Sequence, residues 1–313
     1  MNFMTMDYFL AVEKERSFSK AADGLHITQQ TLSAHIANLE KELGTLLFIR
    51  HVPLELTYAG EVFARYARGF SARYENMLKE FQDISENKKG LLKVGIGYTR
   101  GRTIMPMLVE NFQKEYPDYT VYLDEGPNEG LVERLLDGQI DLAIGMIGQA
   151  IPGIEVEPFY DEEIVLAISE ELLKKLFGDE KERIVRRIGE GEYDLLAKCP
   201  FVIGMPDDVS GMIGRLFLDN VHLISNVKAY SDNMETLLDM CVRNIGACFC
   251  PKNLLETTLS GSKRKKVRTF LLPENARYEI SFGMRTTNYQ WSAIHEFVRI
   301  ARLCYNANKY GLK

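Results

Sequence analysis

Cysteine is scarce in this chain, and its few copies form no pattern. The 313 residues include five cysteines, an odd number with no C-x-x-C pair and no Cys/His spacing suited to zinc. Such a set argues against a disulfide framework or a metal site and favours a reducing compartment. Cys248 and Cys250 lie in an apolar run, where small buried side chains are more common than a redox pair.

Long apolar runs and enzyme motifs are also lacking. No window approaches the roughly 18 apolar residues of a membrane span, and acidic residues occur near the start, where a signal peptide has none, so we expect a cytoplasmic protein. We find no G-x-S-x-G, phosphate-binding loop, H-E-x-x-H or G-x-G-x-x-G pattern and predict no catalytic residue and no cofactor. His222 and His295 have no evident acid or nucleophile partner, so structural roles are expected for both.

Positive charge is scarce in the first residues of the chain. The formal net charge of the whole protein is −6, and residues 1–60 carry five Lys/Arg against seven Asp/Glu, or −2. Because DNA-binding domains normally present a basic surface, this composition weighs against nucleic acid. If DNA is bound, the same scarcity predicts weak non-specific affinity and a shallow dependence on salt.

Three patterns follow one another along the chain. Residues 1–56 contain short helical patterns, and residues 57–88 contain one long helical pattern without proline. From Gly90 onward, apolar strand-like runs alternate with amphipathic helices, which predicts an α/β fold with a largely parallel sheet. The predicted strands are 91–96, 119–123, 140–144, 200–203 and 247–249, and the predicted helices include 103–115, 128–136 and 294–301.

Residues that favour helix ends mark several boundaries. Ser19, Thr28 and Thr57 are candidate N-caps. Asp232, with Glu235 completing a capping box, predicts the start of a helix that runs to residue 243. Asn244, which tolerates the left-handed conformation, would end that helix.

A helix-turn-helix is predicted near residues 18–37. A short helix ends near Gly24, a turn follows, and a second helix begins after Thr28. Along the second helix the apolar residues Leu32, Ile36, Leu39 and Leu43 predict one buried face. The opposite face is rich in amide and hydroxyl groups, which can read base edges in the major groove. The alternative is that this face is only a solvated polar surface.

The surrounding residues resemble the LysR-type transcriptional regulators. The resemblance is carried by residues 18–37, LEKELG at 39–44, LFIR at 47–50 and LTYAG at 56–60. It implies an overall α/β protein: an N-terminal all-α winged helix-turn-helix, a long linker helix and a C-terminal two-subdomain effector domain of the periplasmic-binding-protein type. The implied domains are 1–60, 57–88 and 90–313. Within the last, subdomain I is about 90–161 and 269–313, and subdomain II is about 162–268.

The candidate DNA contacts lie on the second helix and on the wing. They are Thr28, Gln29, Gln30, Thr31, Ser33, His35, Asn38, Arg50 and His51. The chain departs from the family pattern at Ala34 and Asn38, where a basic residue is frequent. Its wing, residues 51–55, also lacks the usual arginines. Histidines titrate near neutral pH and could gain protons beside phosphates.

The long helix carries an apolar stripe with coiled-coil spacing. Its members are Phe63, Tyr66, Phe70, Tyr74, Met77, Phe81 and Ile84, with a mean spacing of about 3.5 residues. Such a stripe needs a partner, which is a second copy of the chain or, alternatively, its own C-terminal domain. A dimer would present two recognition helices to a two-fold symmetric operator. The family resemblance further implies a dimer of dimers.

The C-terminal half is expected to bind a small-molecule effector outside the carboxyl ends of its strands. Arg100 and Arg102, near a helix N-terminus, could clamp a carboxylate, which would make the effector anionic. They could equally be exposed loop charges. The resemblance implies effector contacts at Thr99, Arg100, Gly101, Arg102, Thr103, Gly126, Asn128, Gly145, Met146, Ile203, Gly204, Met205, Cys248 and Phe249.

Two segments of the C-terminal half, residues 174–194 and 263–266, depart from the family pattern or stand out by charge. The segment 174–194 is longer than its counterpart in most family members and predicts an extra surface helix, while the basic run 263–266 is expected to be a solvated loop.

The predicted function is sequence-specific regulation of transcription, with double-stranded operator DNA, an effector, a second copy and RNA polymerase as partners. The alternative is a ligand-binding interaction protein with weak or lost DNA binding.

Overall fold

The N-terminal domain consists of three helices and a two-stranded wing. The computed structural model describes residues 2–51, 53–85, 89–206, 208–222, 226–259, 261–272, 276–287 and 289–309. Helix α1 spans Phe3–Glu15, α2 spans Phe18–Gly24 and α3 spans Gln29–Leu43. Strands β1 (Phe48–Ile49) and β2 (Glu55–Leu56) pair antiparallel and form the wing.

The predicted apolar face of α3 is buried except at its end. Leu32, Ile36 and Leu39 pack with Phe9 in the core of the domain, and each is at most 1% exposed. Leu43 is 42% exposed, so its predicted burial is wrong. The physical reason is its position in the last residue of α3, beyond the reach of the core.

Helix α4 spans Tyr58–Ile84 and begins after Thr57, whose side chain accepts a hydrogen bond from the Gly60 N–H at 3.0 Å. The predicted cap is confirmed. The residues that α4 buries against its own chain are small: Gly60, Ala64, Ala67 and Ala72. Small residues allow the backbone of α4 to pass close to its neighbours, while the bulky side chains lie on another face.

Gly60 and Gly69 provide a matched test of this close passage. A methyl group at Gly60 would lie 2.1 Å from the carbonyl oxygen of Leu47, whereas nothing lies within 4 Å of one at Gly69. We expect Gly60→Ala to lower the free energy of unfolding by about 1–3 kcal/mol through overpacking. Gly69→Ala should raise it by up to about 1 kcal/mol through helix propensity. Chemical denaturation at one protein concentration measures both, and equal effects would contradict the packing.

From Gly90 onward the chain alternates strands and helices, as predicted. The strands are β3 (Gly90–Gly97), β4 (Tyr119–Gly126), β5 (Leu142–Gly145), β6 (Ile154–Ser169), β7 (Pro200–Gly204), β8 (Asn226–Ser231), β9 (Cys248–Pro251), β10 (Val267–Leu271) and β11 (Arg277–Arg285). The helices are α5 (Tyr98–Glu115), α6 (Leu131–Leu136), α7 (Glu170–Phe177), α8 (Lys181–Gly189), α9 (Val209–Asn220), α10 (Met234–Val242), α11 (Lys252–Thr258), α12 (Gly261–Arg264) and α13 (Ser292–Lys309).

Strand β6 connects two lobes. Its first part pairs with β11, which continues to β5, β3 and β4 in lobe I. Its last part pairs with β9 and β10 in lobe II, where β7 and β8 form a further pair. Separate apolar cores fill the two lobes. The predicted subdomain boundaries fall inside β6 and β10 and stay predictions.

The sheets are mixed, so the largely parallel sheet expected from the sequence is wrong. β3 is parallel to β4 and β5, and β7 is parallel to β8. The pairs that involve β6 or β11 are antiparallel. The reason is the path of the chain, which crosses to lobe II through β6 and re-enters lobe I through β11 in the opposite direction.

Two of the predicted N-caps are also wrong, by one or two residues, and helix α5 begins at Tyr98 rather than at Thr103. The side chain that caps α2 is Ser17, which accepts from the Lys20 N–H at 3.4 Å, while Ser19 lies inside the helix. Helix α10 is capped by Asn233, which accepts from the Thr236 N–H at 3.0 Å, and not by Asp232. Asn244, with φ +67°, takes the left-handed conformation expected after that helix.

Residues 174–194 belong to the core of lobe II as well as to its surface. They include the end of α7, all of α8, one short 3-10 turn (Gly178–Glu180) and the start of another (Tyr193–Leu196). Val185 and Ile188 of α8 are buried against the lobe, with Leu172 and Leu173 of α7 beside them. An extra surface helix is therefore too simple a description, because this segment supplies apolar side chains to the core.

Cys248 and Cys250 are fully buried, as expected for small apolar side chains. Within the described part of the chain, no cluster of His, Cys, Asp and Glu is arranged to hold a metal ion. No helix in those same ranges has the length and hydropathy needed to cross a bilayer.

Candidate DNA interface and effector cleft

From Gln29 to Asn38 the outward face of α3 is polar and carries no Lys, Arg, Asp or Glu. The exposed candidates are Thr28, Gln29, Gln30, Thr31 and Asn38, and the half-buried ones are Ser33 and His35. Thr28 caps the helix, as predicted, by accepting from the Thr31 N–H at 3.1 Å. The Ser19 hydroxyl donates to Gln29 Oε1 at 3.3 Å, which joins α2 to the start of α3. The exposed amides at this end of α3 can donate to and accept from base edges.

The buried carboxylate of Glu40 fixes the wing to α3. Its Oε1 accepts from the backbone N–H groups of Leu47 at 2.8 Å and Phe48 at 3.3 Å. Its Oε2 accepts from Arg50 Nη2 at 3.0 Å. Arg50, a predicted DNA contact, therefore also holds the wing in place, and its half-exposed guanidinium keeps other donors toward solvent.

His51 lies between two acceptors on the wing. Its Nδ1 is 2.6 Å from the Pro53 carbonyl oxygen, and its Nε2 is 3.6 Å from Glu55 Oε2. Both candidate cations of the wing, Arg50 and His51, thus lie beside a carboxylate. This pairing lowers the positive potential that the wing can offer to phosphates.

The apolar stripe of α4 is largely exposed, although Phe63 packs on Phe9 and Tyr74 packs on Phe3 of α1. Phe63 is half-buried, and the other six members of the stripe are 41–70% exposed. The stripe continues into an apolar hollow of about 500 Å³ that Leu43 and Tyr58 also line. Among the described residues, α1 covers part of this surface at Phe63 and Tyr74, and Tyr66, Phe70, Met77, Phe81 and Ile84 remain 41–70% exposed.

The opposite face of α4 is tied to both neighbouring domains. Arg68 forms ion pairs with Glu13 of α1 and, at 3.4 Å, with Asp137 after α6. Burial raises the pKa of Asp137, and Arg68 opposes that rise. Lys79 forms an ion pair with the buried Asp141. The long helix α4 therefore does pack against its own C-terminal domain, but it does so through the face that carries Arg68 and Lys79 and not through the apolar stripe.

A cleft of about 540 Å³ opens between the two lobes. It is lined by Gly97, Tyr98, Thr99, Arg100, Gly126, Pro127, Asn128, Glu162, Met205, Asp208, Val209, Ser210, Asp232, Asn233, Met234, Glu235, Pro251 and Tyr278. Lobe I contributes the ends of β3 and β4 and the first turn of α5. Lobe II contributes the residues around the starts of α9 and α10.

Arg100 and Glu162 form a buried ion pair at the base of the cleft. Arg100 Nη2 donates to Glu162 Oε2 at 2.9 Å, and Arg100 Nη1 donates to Asn128 Oδ1 at 3.0 Å. The Tyr278 hydroxyl also donates to Glu162. Burial, and next the charge of Glu162, raises the pKa of Tyr278 well above its ordinary value, so this phenol stays protonated.

Neither arginine is arranged as the predicted carboxylate clamp. Arg100 is 6% exposed and already holds Glu162. Arg102 forms an ion pair with Glu235, which links α5 of lobe I to α10 of lobe II. Both guanidiniums are therefore occupied by carboxylates of the chain itself, and neither is an exposed loop charge pointing only to water.

Two family models match this chain, and together they cover most of it. The first is described as "LysR substrate binding domain" and matches residues 85–303. The second is described as "Bacterial regulatory helix-turn-helix protein, lysR family" and matches residues 3–61. The chain belongs to the LysR family.

Curated relatives of this LysR protein carry names of transcriptional regulators. A "Probable RuBisCO transcriptional regulator" from Thalassiosira pseudonana is 33% identical over 167 residues, 51% of this chain and 54% of the relative. The "Uncharacterized HTH-type transcriptional regulator YcgK" from Bacillus subtilis is 29% identical over 211 residues, 65% of each protein. The chain therefore matches about half to two thirds of the length of these relatives.

Solved LysR structures share the fold over nearly the whole chain. Full-length CbnR complexed with its target DNA has a TM-score of 0.64 at 21% identity, covering 97% of this chain and 100% of CbnR. Full-length OxyR C199D from Pseudomonas aeruginosa has a TM-score of 0.62 at 21% identity, covering 97% and 98%. At such identity the likeness concerns the fold alone.

Five of the predicted effector contacts line the cleft: Thr99, Arg100, Gly126, Asn128 and Met205. Gly101, Arg102, Thr103, Gly145, Met146, Ile203 and Gly204 lie outside its lining. Cys248 and Phe249 are also outside it, at 0% and 2% exposure in the core of lobe II. Their place among apolar side chains does not favour direct contact with an effector.

Much of the lobe II lining is absent from the sequence prediction. Asp208, Asp232 and Glu235 lie near two helix starts, and Glu162 lies in β6, followed by five fully buried or nearly buried apolar residues at 164–168. Three consecutive acids, Asp161, Glu162 and Glu163, precede this run, so the sequence offered a signal for an acidic position here but none that singled out Glu162. Asp208, Asp232 and Glu235 look like ordinary helix-capping and surface acids in sequence, so nothing local marks them.

Proposed function

We propose that this LysR protein is a sequence-specific DNA-binding transcriptional regulator whose operator affinity changes when a small molecule occupies the cleft between its lobes. The observation that carries the proposal is the exposed amide end of α3, capped by Thr28 and held beside the wing by Glu40. The names of the relatives and the fold shared with DNA-bound CbnR support it.

The proposal includes a homodimer formed through the stripe of α4, and a dimer of dimers beyond it. Two α3 helices would then meet two half-sites of an operator. Lobe closure around the effector would change the spacing of the two DNA-binding domains through α4. Arg68 of α4 pairs with Glu13 of the DNA-binding domain and with Asp137 of lobe I. Operator DNA and RNA polymerase as partners imply a cytoplasmic protein. The proposed domains remain 1–60, 57–88 and 90–313.

Gln30→Ala tests the reading helix. Loss of an amide that bonds to a base edge should weaken binding to the operator about 5- to 100-fold and leave binding to scrambled DNA unchanged. Gln113→Ala, an exposed amide on α5, is the matched control. Fluorescence anisotropy with DNA from the region upstream of the protein's own gene, at several salt concentrations, measures both effects.

Two results would count against the proposal. If the wild-type protein bound the upstream and scrambled DNA equally at low salt, the interaction-protein alternative would be favoured. If Gln30→Ala and Gln113→Ala behaved alike on an operator that the wild type prefers, α3 would not be the element that reads the sequence.

A further inference from the structure

The second half of α4 packs onto lobe I through one face of the helix. Four residues at spacings of four, three and four positions make these contacts: Ala72, Asn76, Lys79 and Asp83. A methyl group at Gly138 would lie 2.4 Å from Cβ of Ala72, so the two backbones pass in close contact. One turn further along, Asn76 Oδ1 accepts from Arg285 Nη2 at 3.1 Å. The helix is thus attached to lobe I at successive turns.

Lys79 is the charged centre of this face. Its ammonium group forms an ion pair with Asp141 and lies 4.7 Å from the centre of the Trp291 ring. The Asp141 carboxylate is 2% exposed and also accepts from the Lys93 N–H at 3.0 Å. Withdrawal of Lys79 would leave this buried carboxylate without a counter-charge and would break the contact between the ammonium and the ring. Separation of α4 from lobe I at this point is therefore costly.

Asp83 of α4 caps a helix of lobe I. Its carboxylate accepts from the Ser292 N–H at 2.9 Å, from the Ser292 hydroxyl at 2.7 Å and from the Tyr289 hydroxyl. Ser292 is the first residue of α13, where backbone N–H groups have no partner within the helix. A side chain of α4 therefore satisfies a donor at the start of a lobe I helix, and that start depends on α4 remaining in place.

We propose that α4 and lobe I move as one rigid body, held together at this face by the positioning residues Lys79 and Asp83. A movement of lobe I is then passed to the stripe and to the DNA-binding domain, and is not absorbed between α4 and lobe I. The inference concerns contacts within one chain, so it holds or fails independently of operator binding and of any effector.

Trp291 reports on this face, because it is the only tryptophan of the chain. It is 4% exposed and lies beside Lys79, so acrylamide should reach its ring slowly while α4 stays in place. Quenching of the full-length protein is measured from fluorescence lifetimes. The rate constant obtained in this way does not include quenching by the Lys79 ammonium itself.

Lys79→Met combined with Asp83→Ala should raise the acrylamide quenching rate constant of Trp291 at least about 3-fold, because local opening no longer breaks either attachment. Methionine is long enough to keep covering the ring, so the rise reports movement of α4. Asp83→Asn should stay near the wild-type value, because asparagine is an equally good cap. Arg73→Met combined with Glu80→Ala removes the same two charges from exposed positions of α4 and should change nothing.

A role in stability alone would lower the denaturation midpoint and leave quenching of the folded protein unchanged. Circular dichroism identifies the folded variants. If the double variant does not fold, Asp83→Ala alone, which leaves the Lys79 ion pair intact, should still raise the rate constant about 2-fold. A folded variant with wild-type quenching would overturn the proposal. So would an equal rise in the Arg73 and Glu80 control, or a wild-type protein quenched as fast as the double variant.

Discussion

Replacing Phe70 and Phe81 together by glutamate is expected to leave the protein monomeric and to weaken operator binding about 100-fold. Phe70 is 41% exposed and Phe81 is 61% exposed, and both lie on the exposed part of the stripe. Four like charges at the centre of a symmetric helix pair would replace buried aromatic surface. In a monomer the second DNA-binding domain is no longer held near its half-site. Such linkage commonly raises the overall affinity about 10²–10⁴-fold.

Sedimentation equilibrium gives the oligomeric state, and a gel shift with the upstream DNA gives the affinity. Tyr122→Glu is the control, because Tyr122 on β4 is an aromatic residue of similar exposure, 53%, away from the stripe. The variant should stay folded, since α4 is held to its own chain by other residues, including the buried Ala64 and the ion pairs of Arg68 and Lys79. A double variant that remained dimeric, or a Tyr122→Glu protein that dissociated equally, would show that the stripe is not the interface.

The spacing of apolar residues was sufficient to predict this helix and its stripe, because coiled-coil periodicity is a local property of the sequence. It was not sufficient to place Leu43. The pattern that buries Leu32, Ile36 and Leu39 continues to Leu43, but the helix ends there and Gly44 turns the chain with φ +71°. Leu43 instead joins the apolar hollow beside the stripe. Whether Leu43 is buried or exposed depends on how far the core of the domain extends along α3, which the spacing of apolar residues does not show.

Helix caps show a similar limit on prediction. Ser17 and Ser19, and likewise Asp232 and Asn233, are equally good cap residues by their chemistry. The structure selects Ser17 and Asn233 because the helices must start where their apolar faces meet the core. Thr28 and Thr57 were predicted correctly because neither has another good cap residue directly next to it in sequence.

The lobe I half of the cleft could be predicted, and the lobe II half could not. Thr99 follows the carboxyl end of a recognisable parallel strand, where ligands of α/β proteins usually bind. Gly126 and Asn128 were implied by the family resemblance, and they lie at the end of β4 beside it. The acids of lobe II reach the cleft only because β6 carries the chain across and the starts of α9 and α10 face back toward lobe I. That arrangement depends on the relative placement of the lobes, which no short-range pattern encodes.

The pairing of Arg100 with Glu162 is the clearest such case, because 62 residues separate the two side chains in sequence. Each residue is a few per cent exposed, and Glu162 also accepts hydrogen bonds from Tyr278, from Tyr160 at 3.4 Å and from Asn253 at 3.2 Å. The carboxylate is thereby bonded to groups from both lobes. Removing its charged partner alone would leave a buried negative charge without compensation.

Arg100→Met is therefore expected to lower the free energy of unfolding by about 3–5 kcal/mol, as is typical when one member of a buried pair is deleted. Arg100→Met combined with Glu162→Met should recover much of that loss, because two apolar side chains of similar length leave no buried charge. Arg277→Met is the matched control: Arg277 pairs with Glu163 at 2.8 Å, but its side chain is 65% exposed, and such surface pairs contribute about 0–1 kcal/mol. Scanning calorimetry of the full chain at one concentration compares the four proteins. If Arg100→Met cost no more than Arg277→Met, or if the double variant were less stable than Arg100→Met alone, the guanidinium would not be buried against Glu162 in solution, and the base of the cleft would be open to water.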